Sequence, residues 1–219
     1  MPRRLLWILL IAVTLGAGIW VVRYFALFQS RLATTAIEET MTSITTNPPD
    51  TSPTASVKYV VEEYARGLEV PWSLVFTAPN RLLVAERPGR IVAFVNQKLS
   101  ATPLYEFKEV STVGEEGLMA LALSPNYAAD KTVYAAVAYP ENNEMWVKVV
   151  SLLDRNDTLD FGRVILDKIP AAKYHAGTAL VFGPDGKLYV STGDAPDRNQ
   201  AQALNSLAGK ILRLNPYVS

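Results

Sequence analysis

The chain has no cysteine. Disulfides, thiolate zinc sites and cysteine nucleophiles are therefore excluded. It has one histidine, His175, which rules out any metal centre built from several imidazoles. A metal would have to be a hard cation held by oxygen, such as calcium. Charge of either sign is not in excess, with 21 basic and 21 acidic side chains in 219 residues, so nothing marks a nucleic-acid partner. Long apolar runs are scarce too, apart from one at the start.

That run is Leu5 to Val22, preceded by Arg3 and Arg4 and ended by Arg23. It is close to the minimum length of a membrane-spanning helix, and no small-x-small cleavage pattern follows it. The reading is an uncleaved signal anchor over residues 1–29, with secretion after cleavage as the alternative. The flanking arginines orient the remainder outside the cytoplasm, in the periplasm or at the cell surface. Residues 30–56 are rich in Thr, Ser and Pro, ending in Asn47-Pro48-Pro49-Asp50-Thr51-Ser52-Pro53-Thr54-Ala55-Ser56, and form a tether.

From residue 57 short apolar runs alternate with turn residues, and one unit recurs. Leu74 to Phe76, Pro79 and Leu82 to Val84 form the first copy. Ala120 to Leu123, Pro125 and Val133 to Ala135 form the second, and Leu180 to Phe182, Pro184 and Leu188 to Val190 the third. A further strand follows in each: Arg90 to Val95, Met145 to Leu152 and Lys210 to Leu214. Several short strands per unit, repeated, suit the blades of an all-β propeller, with a sandwich as the competing architecture.

The stretch from His175 to Asp194 concentrates the chemistry. Thr178 to Phe182 and Leu188 to Thr192 read as strands joined through a Gly-Pro-Asp-Gly turn. A hairpin returns the chain to its starting end, so His175 and Asp194 emerge at one rim. A carboxylate beside imidazole fixes the tautomer and stabilises the imidazolium, which suits a general base. The ordinary alternative is a surface histidine and a turn aspartate. Likewise, Glu115 and Glu116 by themselves read as a solvated acidic loop, and Asn156-Asp157-Thr158 as a glycosylation sequon.

Four motifs in order carry a resemblance. They are Gly67 to Leu74 with Ala85 to Ile91, Gly114 to Met119 with Ser124-Pro125, His175 to Asp194, and Ser206 to Leu214. From about Tyr64 to Pro216 the chain resembles the soluble quinoprotein glucose and sorbosone dehydrogenases, also called aldose sugar dehydrogenases. The resemblance implies a six-bladed β-propeller holding pyrroloquinoline quinone (PQQ) and calcium, which oxidises the anomeric carbon of aldose sugars to the lactone. It implies that His175 is the base and Asp194 its orienting carboxylate. By the same resemblance Glu115 faces cofactor and sugar, and Gln200 is a sugar-side amide.

Tyr174, Thr178 and Ala179 depart from the family pattern, which implies an altered sugar pocket. Residues 57–219 match only the N-terminal half, about three blades of six. The resemblance thus implies that most ligands of PQQ and calcium lie elsewhere and that a second half-propeller completes the ring, either another copy or a separate C-terminal half. A membrane-tethered, non-catalytic propeller module is the alternative. A lactonase-type calcium hydrolase is weaker, lacking its acidic metal cluster.

Overall fold

The structure is a computed structural model, and it describes residues 59–217. The apolar run from Leu5 to Val22 and the Thr/Ser/Pro stretch at 30–56 lie outside the described residues. From Val61 onward the chain forms one compact unit, its regular structure nearly all strands, in three antiparallel sheets.

Sheet 1 comprises β1 (Pro71–Ala78), β2 (Arg81–Glu86), β3 (Arg90–Val95), β4 (Lys98–Leu99) and β5 (Tyr105–Glu106). Sheet 2 comprises β6 (Leu118–Leu123), β7 (Thr132–Glu141), β8 (Glu144–Asp154) and β9 (Leu159–Ala171), and sheet 3 β10 (Thr178–Phe182), β11 (Leu188–Thr192) and β12 (Ile211–Leu214). Two single-turn helices, α1 (Tyr127–Asp130) and α2 (Asn199–Gln202), sit in connections. The three repeated units of the sequence are the first two strands of these three sheets, and each further strand is the third.

Sequential pairing follows from the turns. Asn142 and Asn143 both take positive φ, 52° and 63°, the conformation that joins β7 to β8 in a tight hairpin. At the β10–β11 turn the Asp185 carboxylate accepts from the Lys187 N–H at 3.1 Å and Gly186 sits at φ 69°.

The sheets stack face to face. Strands β1, β6 and β10, the first of each sheet, lie side by side, a propeller-like arrangement. Period-two alternation explains the layering. Leu83, Ala85, Ile91 and Ala93 of sheet 1 face Leu121, Val133, Ala135 and Val137 of sheet 2. The intervening residues of sheet 2, including Tyr134, Ala136 and Ala138, face Leu188 and Val190 of sheet 3. Sheet 2 is thus buried on both sides, which is why β7 reads as an uninterrupted apolar run.

Polar ties supplement this packing between sheets 1 and 2. Ser73 Oγ on β1 accepts from the Leu121 N–H at 3.0 Å. At the outer end the Arg81 guanidinium grips both oxygens of Asp154, at 2.5 and 3.0 Å, and the Tyr127 hydroxyl donates to the same carboxylate.

Candidate active site

The hairpin of β10 and β11 places the site. Thr178 pairs with Thr192 at its open end, so three residues before one strand and two after the other bring His175 and Asp194 together. The imidazole Nδ1 lies 2.8 Å from Asp194 Oδ1. Backbone hydrogen bonds extend the pairing past the strands: the Gly193 N–H donates to the Gly177 carbonyl at 3.0 Å and the Ala195 N–H to the His175 carbonyl at 3.4 Å. Gly193 has to be glycine, because a Cβ there would overlap the His175 carbonyl oxygen.

His175 has φ 58°, in the left-handed region that side chains other than glycine seldom occupy. Its backbone N–H donates to Glu115 Oε2 at 3.0 Å. The Glu115 N–H in turn donates to the Lys173 carbonyl at 2.8 Å. The loop before β6 is thereby fastened to the segment leading into β10. The His175 side chain is 59 % exposed and Asp194 29 %. With Nδ1–H directed at the carboxylate, Nε2 is the ring atom open to solvent, and it has no hydrogen-bond partner among the described residues.

Three of the four expected site residues, His175, Asp194 and Glu115, therefore meet. Glu115 contacts the backbone of His175, a role that the resemblance did not imply. Gln200 stands apart, in α2, where its amide donates to Asp197 Oδ2 at 3.3 Å. It helps to line a groove of about 440 Å³ with Asn143, Met145, Pro170, Ala195 and Asp197, a lining that includes neither His175 nor Asp194. Glu116 is not a solvated surface residue. It is fully buried, and its carboxylate accepts from Ser111, Val113 and Gly114. The only trace of this in the sequence is the pair of glycines, Gly114 and Gly117, that bracket the two glutamates. Among the described residues no three Asp, Glu or His side chains converge as a metal site.

The family model described as Glucose / Sorbosone dehydrogenase matches residues 68–219. A solved oxidoreductase of Thermus thermophilus, described as a glucose dehydrogenase, is 45 % identical, with a TM-score of 0.66 over 71 % of this chain and 46 % of its own. The PQQ-bound aldose sugar dehydrogenase of Streptomyces coelicolor is 35 % identical, with a TM-score of 0.65 over 72 % of this chain and 48 % of its own. Mouse Hedgehog-interacting protein is 29 % identical over 71 % of this chain and 25 % of its length. The chain thus spans about half, or less, of the length of these relatives. The chain belongs to the glucose/sorbosone dehydrogenase family.

Proposed function

We propose that this chain carries the proton-accepting side of a sugar dehydrogenase site that oxidises the anomeric carbon of an aldose to the lactone. The carrying observation is the His175–Asp194 pair at 2.8 Å with Nε2 open to solvent. Nε2 takes the proton of the anomeric hydroxyl, and alkoxide character at that oxygen promotes loss of hydride from the carbon. Asp194 holds Nδ1–H and stabilises the imidazolium that forms. Glu115 holds the His175 backbone in place.

PQQ, when bound, supplies the two-electron oxidant. The donor set here does not fit its grip. PQQ carries three carboxylates and calls for cations, whereas the side chains gathered at the site are an imidazole and carboxylates. The nearby Arg87 guanidinium donates to the Gly114 carbonyl, and the Lys173 ammonium lies over the Tyr174 ring at 5.2 Å. On this reading the groups that hold PQQ and calcium lie outside residues 59–217, on a second half-propeller. Export through an anchor at Leu5 to Val22 is part of the same proposal. Protease treatment of spheroplasts tests it, and digestion of the 57–219 portion only after the spheroplasts are lysed would refute it.

To test the chemistry, the full chain is combined with PQQ, calcium and the C-terminal half of a family relative, and aldose-dependent reduction of an artificial acceptor is measured. Turnover is expected, and His175→Ala is expected to lower it about 10²- to 10⁴-fold. Normal turnover by His175→Ala would remove the catalytic assignment. The likeness to Hedgehog-interacting protein favours a second reading, a non-catalytic binding module. Under it no sugar is oxidised in any combination, and His175→Ala costs stability alone.

A further inference from the structure

We infer that Glu116 is a positioning residue for His175, acting through the loop from Ser111 to Gly117 and the carboxylate of Glu115; its functional meaning rests on the base role proposed above. Glu115 and Glu116 are neighbours with opposite fates, one accessible to solvent and one with no exposure at all. A carboxylate without a cationic partner is costly to bury unless donors converge on it, and no lysine or arginine pairs with Glu116 among the described residues. Three donors converge instead: the Ser111 hydroxyl at 2.9 Å, the Val113 N–H at 2.7 Å and the Gly114 N–H at 2.8 Å. The carboxylate thus folds the loop around itself.

The folded loop then docks where the base is held. Gly114 approaches so closely that a Cβ would overlap the Lys173 carbonyl, and the Arg87 guanidinium donates to the Gly114 carbonyl from the other side. This leaves Glu115 one outcome: its N–H meets the Lys173 carbonyl at 2.8 Å and its carboxylate meets the His175 N–H at 3.0 Å. That contact helps to hold His175 at φ 58°, the conformation from which its ring reaches Asp194. Loosening Glu116 should free Glu115, then the His175 backbone, then the ring.

A glutamine at 116 keeps the size and fails the chemistry. It offers one acceptor oxygen to three donors and turns an NH₂ toward a neighbouring N–H. The chain has only one histidine, so its imidazole ¹⁵N and ¹H signals need no assignment. In the full chain, Glu116→Gln is expected to move the ring ¹⁵N shifts from a single tautomer toward the average. It should also speed exchange of the His175 backbone amide about tenfold, the worth of one hydrogen bond. Glu115→Ala alone should give the same changes, and adding Glu116→Gln to it should add nothing to the ring signals.

Wild-type ring signals in folded Glu116→Gln would overturn the inference, as would a full additional effect in the Glu115→Ala background. If Glu116→Gln does not fold, Ser111→Ala, which removes one donor, decides. A smaller shift in the same direction supports the coupling, and unchanged signals overturn it. None of these readouts needs turnover, so failure of the dehydrogenase reading and failure of this coupling are distinguishable.

Discussion

At the scale of single residues, the pair His175 and Asp194 makes the sharpest demand on the chain. Asp194→Asn puts an amide where the Nδ1–H acceptor stood, and a tautomer with Nδ1 unprotonated becomes competitive. Aldose oxidation by the completed assembly is expected to fall about 10²-fold or more, measured as kcat. Gly193→Ala acts by bulk. The new methyl must displace the His175 carbonyl, which is expected to cost about 1–3 kcal/mol, read as a lowered Tm together with altered imidazole shifts. The pair was legible in the sequence because a hairpin has a fixed geometry and its turn residues announce it. Glu116 was not, because burial of a loop carboxylate follows from donors brought in by backbone geometry, and no periodicity records them. Gln200 was placed by likeness alone, and its amide bonds within its own loop.

At the scale of elements, the first three strands of each sheet were readable as short apolar runs split by turn residues, whereas β9 was not. Of its thirteen residues only Leu159 and Ile169 are fully buried; Gly162 and Pro170 interrupt it, and its pairing with β8 shifts register repeatedly. An outermost strand has a neighbour on one side only and little apolar face to protect, so its sequence is free to look like a loop. Between sheets the Arg81–Asp154–Tyr127 network gives a further expectation. Burial works against the charged form of Asp154, but the Arg81 guanidinium and the Tyr127 hydroxyl outweigh it and hold the carboxyl below its usual range. Burial and the neighbouring carboxylate push the Tyr127 phenol up to about 12, so it remains a donor at neutral pH. Because the folded-state value of Asp154 is depressed, its contribution is fully present above about pH 4 and is lost as pH falls through the folded value. Asp154→Asn, which strands Arg81, is expected to cost about 3–5 kcal/mol in urea unfolding at pH 7, and to flatten the dependence of that stability on acid.

At the scale of the whole folded unit, apolar surface stays uncovered at both ends: Ala65 and Leu68 pack over Leu82, Val84, Val92 and Phe94 on the outer face of sheet 1 but leave β1 bare, and sheet 3 has exposed apolar side chains on its far face. Trp72, Leu74 and Phe76 project from β1 away from sheet 2, and Val181 and Ile211 from sheet 3 on the far side. Within the chain such faces are covered by the next sheet, so self-association through them is expected. Phe76→Thr combined with Val181→Thr should lower the average mass seen in sedimentation, and a wild-type chain that runs as a monomer at tens of micromolar would contradict this. Sheet 2, flanked on both sides, shows such exposure only at Phe161 and Val164 of its outermost strand β9, and this separates its inner strands from the end sheets in time as well as in space. Deuterium should enter β1 and the amides of β10 to β12 first, through local openings that leave the middle strands shut, and β7 should keep its protium until the entire unit opens.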